Sequence, residues 1–145
     1  MDSAAVIVED DTGRVLLLLR GPTAPRGPLQ WCLPSGFAQV GEDVASAARR
    51  EAHEEAGLLV GTLVPVARTR SGGGILHVFR ARDWAGPVQL LDGEHVTHAW
   101  VPLTKAASWD VVGAQLAVLR GYAAAVGRSS PRGCSETAVW EPDET

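Results

Sequence analysis

The sequence predicts an α/β domain, and three observations lead there. Short apolar runs are separated by turn residues, one stretch from Asp43 to Ala56 carries neither Gly nor Pro, and a second helical pattern lies near the C-terminus. Ala4 to Val8 and Val15 to Leu19 flank Asp10-Asp11-Thr12-Gly13, whose residue types suit a tight reversal, so the chain is expected to open with a hairpin. Gly21 to Gln30 holds three Pro and two Gly, which disfavours regular structure and predicts a surface loop leading to Trp31-Cys32-Leu33-Pro34.

Asp43 to Ala56 is rich in Ala, Glu and Arg, begins with an N-cap candidate in Asp43 and stops at Gly57, a residue suited to the position after a helix. Leu63 to Arg70 and Ile75 to Arg80 are β-compatible on either side of Ser71-Gly72-Gly73-Gly74. Pro65 marks the first as an edge or interrupted strand. The glycines read as a hairpin turn, or as a phosphate-cradling loop, although no helix start follows them. Val96 to Val101 is a further strand. Trp109 to Val126 reads as a second helix with Trp109, Val112, Leu116, Leu119 and Tyr122 as its buried stripe. Residues 1–127 are thus expected to form one domain and residues 128–145 a flexible tail, unless Val139 and Trp140 dock, for instance across a homodimer interface.

A length of 145 residues, 46% of them hydrophobic and 21% charged, suits one ordinary core. The net charge of −4 gives no general attraction for nucleic acid or anionic membrane, so a polyphosphate ligand needs a metal or a few basic side chains. No apolar run approaches the roughly 18 residues of a membrane helix. The start, MDSAAVIVED, lacks the basic segment of a secretory signal, so a cytoplasmic location is expected. Cys32 and Cys134 show no metal-ligand spacing and read as incidental thiols; the four histidines likewise read as surface or hairpin residues.

The chemistry concentrates on the first helix. With about 100° per residue and Glu51 at zero, Glu54 falls near −60° and Glu55 near +40°, on the side that also carries Val44, Ala47 and Ala48. The three carboxylates therefore continue the apolar stripe, while Ser46, Arg49, Arg50 and His53 lie toward the other side. Like charges about 6 Å apart repel by roughly 3 kcal/mol per pair at an effective dielectric near 20. An inward trio accordingly needs protons or cations. Hard oxygen ligands select Mg²⁺ or Mn²⁺; the alternative is a structural salt-bridge network through Arg50.

Gly36, Glu42, Arg50-Glu51, Glu54-Glu55 and Gly57-Leu58 stand at the spacing G-x5-E-x7-R-E-U-x-E-E-x-G-U, which resembles the Nudix box at every fixed position, with Ala52 a small residue at the first aliphatic place. The order of elements around this 23-residue box also looks like that family's α/β/α sandwich with a mixed sheet. The resemblance implies Mg²⁺ ligation by Glu51, Glu54 and Glu55, with Arg50 and Glu42 orienting the loop and helix. The carbonyl of Ser35 is a further ligand candidate, although many members carry Gly there. Gly36 and Gly57 are read as backbone-geometry residues.

Outside the box, Glu94 lies in a segment resembling the one that carries a distant acidic ligand or base, with Asp92 competing and an exposed loop acid as the plain alternative. Arg20 resembles a phosphate-contacting arginine, or is a solvated strand end. Trp31 stacks on a base or packs in the core. The implied activity is hydrolysis of a phosphoanhydride in a nucleoside-diphosphate-linked small molecule, with Glu51 or Glu94 taking the proton of the attacking water. Gly73 and Ile75 stand where ADP-ribose and diadenosine-polyphosphate hydrolases of the family carry Pro and Tyr. A nucleoside triphosphate pyrophosphohydrolase of the MutT type is therefore the expected enzyme. A hydrolase of another nucleotide derivative and a non-catalytic nucleotide-binding module remain the alternatives.

Overall fold

The structure, a computed structural model, describes residues 1–128; Cys134, Val139, Trp140 and the tail expected over 128–145 lie, but for residue 128 itself, outside the described residues. In chain order the elements are β1 (Ser3–Val8), β2 (Arg14–Arg20), β3 (Trp31–Cys32), β4 (Ser35–Phe37), α1 (Val44–Ala56), β5 (Leu59–Val60), β6 (Val64–Ser71), β7 (Gly74–Ala81), β8 (Trp84–Ala85), β9 (His95–Pro102), α2 (Leu103–Ala106) and α3 (Gly113–Arg128). A four-stranded sheet runs β4-β1-β7-β6 and a three-stranded sheet runs β3-β2-β9; β5 pairs with β8. The first is mixed, because β1 is parallel to β7 and antiparallel to β4.

Side chains alternate across a strand, and in β1 and β2 both faces are covered. Ala4, Val6, Val8, Leu16 and Leu18 join one core cluster with Ala47, Ala48, Ala52 and Ala56 of α1. Ala5, Ile7, Val15 and Leu17 join the other with Val118, Leu119 and Tyr122 of α3. The sheets are thus enclosed between two helical layers. This explains why both opening strands read as continuous apolar runs rather than as alternating ones.

The expected opening hairpin needs correction. β1 and β2 meet only at a bridge between Glu9 and Val15 and then diverge, β1 into one sheet and β2 into the other. The reversal itself is as the residue types suggest: Asp10 Oδ1 accepts from the Thr12 and Arg14 amides, and Gly13 has φ 80°. With two buried faces available, each strand finds better neighbours elsewhere. The glycine hairpin does form, Gly72 and Gly73 taking φ 54° and 83° between Ser71 and Gly74. Pro65 lies in edge strand β6, where the register shifts between Pro65 and Ala67.

The second helix starts at Gly113 rather than Trp109. Residues 110–112 instead clasp β3, the Trp31 amide donating to Asp110 O at 2.8 Å and the Val112 amide to Trp31 O at 3.0 Å. Those long-range bonds win over helix propensity at a stretch that includes the β-branched pair Val111-Val112. Leu119 and Tyr122 are buried as expected, joined by Val118 and Gln115, whereas Leu116 is only partly covered.

Candidate active site

The acidic helix is delimited by its own sequence. Asp43 takes an extended backbone and its side chain accepts from the Ser46 amide at 2.7 Å. At the other end Gly57, with φ 71°, donates to His53 O in the left-handed αL type of helix stop, and Leu58 donates to Ala52 O. The buried residues of α1 are Ala47, Ala48, Ala52, Glu55 and Ala56. On the wheel this stripe is centred nearer Glu55 than Glu51, and the expectation of three inward acids is corrected accordingly. Glu55 is 7% exposed and the Glu51 side chain 14%, but the Glu54 side chain, on the far flank, is 52% exposed.

Arg50 organises the approach to the helix. Its Nε and Nη2 donate to the two Glu42 oxygens at 2.9 and 3.0 Å, and Nη2 also reaches Phe37 O at 3.0 Å. Nη1 donates to Glu51 Oε1 at 2.9 Å and Glu54 Oε2 at 3.0 Å. One guanidinium therefore ties the loop after β4 to two of the three acids, so both readings of this cluster share the same side chains. Glu42 Oε1 additionally accepts from the Gln39 amide at 2.9 Å, which fixes the loop turn.

β4 brings the chain against the carboxylates. A Cβ on Gly36 would lie 2.3 Å from the Glu51 carboxyl carbon, so with any other residue here the Glu51 carboxylate would have to move; the φ of Gly36 is not positive. Ser35, in the same strand, also avoids positive φ, and its departure from the common glycine costs nothing in backbone strain. Its amide donates to Glu55 Oε1 at 2.7 Å. The Gln115 amide group, itself buried on α3, donates to Ser35 Oγ at 2.9 Å and accepts from the Leu33 amide at 2.7 Å, pinning β4 from the opposite helical layer.

A cleft of about 670 Å³ opens over this region, lined among others by Arg20, Ser35, Gly36, Glu55, Glu94 and His95. Arg20 stands at its wall with Nη1 donating to Arg26 O at 2.7 Å. Glu94 is exposed on the same wall, next to Arg20; its amide is held by Asp92 Oδ1 at 3.0 Å and its carbonyl accepts from the Gly21 amide at 2.9 Å. Trp31 is not among the lining residues. It packs edge-on to Trp109, ring centroids 4.8 Å apart, in the core cluster on the α3 side.

The expectation that the histidines are surface or hairpin residues is corrected at His95, which is 7% exposed and lines the cleft. Its Nδ1 lies 3.0 Å from Asp92 Oδ2, and its Nε2 3.9 Å from Glu55 Oε2 and 3.4 Å from Cys32 Sγ. Ligand atoms of Glu55, Asp92 and His95 all fall within 4.8 Å of one another. The one available signal was Asp92 and His95 standing three apart across Gly93, which has φ 72°. Their proximity to Glu55 is a tertiary fact with no local signature.

Burial pushes the Glu55 carboxyl up to about 9, with the charges of Glu51 and Asp92 adding and the Ser35 amide and Arg20 opposing. Burial also raises Glu51, against the pull of Arg50. A carboxyl that would hold its proton at neutral pH, beside two more acids and a cleft, is short of positive charge. This deficit fits a cation, and among the described residues the acids and histidines whose ligand atoms all lie within 4.8 Å of one another are Glu55, Asp92 and His95, not Glu51, Glu54 and Glu55 together.

The NUDIX domain family model matches residues 1–120. The solution structure of the E. coli ORF135 protein is 25% identical with a TM-score of 0.71, covering 90% of this chain and 92% of that one. A MutT protein from Methanosarcina mazei is 22% identical with a TM-score of 0.73, covering 89% and 96%. A C. elegans Ap4A hydrolase is 23% identical with a TM-score of 0.64, covering 86% and 98%. Comparison with curated proteins finds no match. A mixed sheet between helical layers, with a carboxylate-bearing helix at the mouth of a cleft, defines the class. The chain belongs to the Nudix family.

Proposed function

We propose that this enzyme is a Mg²⁺-dependent hydrolase, Mn²⁺ substituting, that cleaves a phosphoanhydride bond in a nucleoside-diphosphate-linked substrate. The observation that carries this reading is the buried, charge-deficient Glu55 carboxyl facing the cleft beside Glu51. A (deoxy)nucleoside triphosphate is the substrate favoured, supported by a cleft sized for one nucleotide-scale molecule and by the MutT proteins among similar structures. The catalytic domain is assigned to residues 1–127.

Glu51, Glu54 and Glu55 would hold the metal, with the Ser35 carbonyl as a further donor. When bound, the cation neutralises phosphate oxygens and makes water a stronger acid. The chain's own groups supply the rest. Arg50 and Glu42 hold Glu51 and Glu54 in place, the Ser35 amide fixes one Glu55 oxygen, and Arg20 offers a cation to substrate phosphate from the cleft wall. Glu94, exposed at the cleft without a side-chain hydrogen bond among the described residues, takes the proton of the attacking water; Glu51, engaged with Arg50, is the competing base. The test is phosphate and pyrophosphate release with Mg²⁺ across a panel of nucleoside triphosphates, dinucleoside polyphosphates, ADP-ribose and nucleotide sugars. Turnover confined to the non-triphosphate substrates would overturn the substrate assignment, and turnover in excess EDTA the metal assignment.

A further inference from the structure

Residues 21–30 and β4 both line the cleft, and two of their side chains meet there in a contact that hydrolysis as described does not use. Side chains alternate along β4, so Phe37 emerges on the face opposite to Gly36 and its approach to Glu51. Its strand partner Ser3, and Leu76 paired with Ser3 on the other side, share that face, and all three line the cleft. The Phe37 ring is 37% exposed, an aromatic surface open to the cleft. Over it lies the Arg26 guanidinium, 4.8 Å from the ring centroid. A cation on an aromatic face in contact with water is held weakly, and Arg26 is itself exposed. Ser35, whose amide holds Glu55, stands two residues before Phe37, about 7 Å along the strand. One sugar bridges that separation.

We propose that Phe37 and Arg26 seat the nucleobase of the substrate, the heterocycle entering between ring and guanidinium and being held by its two faces; this rests on the proposed reading of a nucleotide substrate and deepens it. The amide side chains of the lining are engaged within the protein. Gln30 Nε2 donates to Asp110 Oδ1 at 3.0 Å, and the Gln115 amide group bonds Ser35 Oγ and the Leu33 amide. Recognition therefore falls to stacking, which every base offers, rather than to the hydrogen-bonding pattern of one base edge. The seat selects a nucleotide over a sugar phosphate and tolerates a change of base. Arg26 also ties this seat to the phosphate end, because its carbonyl accepts from Arg20 Nη1 at 2.7 Å. The backbone beside it is braced: Gly27 has φ 55°, and a Cβ there would lie 2.7 Å from Val112 Cγ1. The Arg26 side chain thus opens to admit the base while its carbonyl keeps Arg20 in place.

The probes are AMP, GMP, CMP and UMP, with ribose 5-phosphate as the base-free control, each titrated with Mg²⁺ into the full chain and followed by calorimetry and proton NMR. We expect the base protons to move upfield under the ring current of Phe37, the four nucleotides to bind within about tenfold of one another, and ribose 5-phosphate to bind more weakly than any of them. Phe37→Ala, its fold checked by circular dichroism, should abolish the upfield shifts and weaken each nucleotide by about 5–150-fold while leaving ribose 5-phosphate unaffected. Phe37→Trp should restore both shifts and affinity. Arg26→Ala keeps the carbonyl that holds Arg20 and should give a smaller loss. In turnover, Phe37→Ala should raise KM more than it lowers kcat. Unshifted base protons in the wild type, shifts that survive in folded Phe37→Ala, or ribose 5-phosphate binding as tightly as AMP overturns the seat, and strong preference for a single base overturns recognition by stacking. Shifted base protons in a protein that turns over no nucleotide support the seat and refute the hydrolase reading instead.

Discussion

Two segments meet at the cleft, and they are built on opposite principles. α1 carries Glu51, Glu54 and Glu55 on a helix whose start, stop and acid spacing are written within 15 consecutive residues, Asp43 to Gly57. The segment from Asp92 to His95 lies at the entry to β9; Asp92 holds it together locally, but its place in the molecule is set by partners far away in sequence. Glu94 O accepts from Gly21, and His95 meets Cys32 and Glu55. Local periodicity places ligands relative to one another. Long-range packing places the group that works on them.

The largest expected effect lies on the helical side. Glu55→Gln is nearly isosteric and removes the charge that binds metal, so turnover should fall by several orders of magnitude while the fold survives. Linkage provides a second readout. Glu55 is raised in the folded state to about 9 against an unfolded value near 4.5, so protonated Glu55 favours the fold. That contribution is complete below about 4.5 and is lost as pH rises toward about 9. Metal-free wild type should therefore lose stability across that window in denaturant titrations, Glu55→Gln should show a flatter profile, and Mg²⁺ should restore the wild type. Wild-type turnover in the variant would remove Glu55 from the ligand set.

Next come the two candidate bases, one from each segment. Glu94→Gln should lower kcat strongly, leave Mg²⁺ affinity nearly intact, and recover partly as pH rises and hydroxide replaces the missing base. Glu51→Gln should damage both kcat and metal affinity. Normal turnover by Glu94→Gln from mildly acidic to mildly alkaline pH would hand the role to Glu51 or Asp92 and dissolve the division of labour between the segments.

A third change probes how closely β4 must approach. Gly36→Ala puts a methyl group 2.3 Å from the Glu51 carboxyl carbon, so the carboxylate must shift; we expect weaker Mg²⁺ binding by calorimetry and reduced turnover, with secondary structure retained. Unchanged metal affinity would show that Glu51 tolerates displacement and is not a fixed ligand. The smallest effect belongs to Asp43→Ala, which removes the cap bond to Ser46 and should cost about 1 kcal/mol of stability, leaving turnover per folded molecule unchanged. A loss of turnover there would mean that the ligands depend on the helix start more than one terminal bond implies.

What the sequence by itself determined is whatever depends on spacing along one element. The Asp43 cap, the Gly57 stop, the Gly72-Gly73 hairpin and the Arg50, Glu51, Glu54 and Glu55 constellation follow from helical and turn periodicities that a few consecutive residues enforce. The tertiary structure alone decided what depends on competition between distant partners. β1 and β2 were legible as strands but not as members of different sheets, because two apolar faces leave the choice of neighbour to packing. Trp109 to Val112 read as helix until the backbone of Trp31 claimed Asp110 and Val112. Glu54 read as inward until the buried stripe proved centred nearer Glu55. His95 carried only the signal of Asp92 three residues before it, since its depth and its approach to Cys32 and Glu55 exist only once β9 lies against β2, where burial and distance rather than residue order assign a side chain its chemistry.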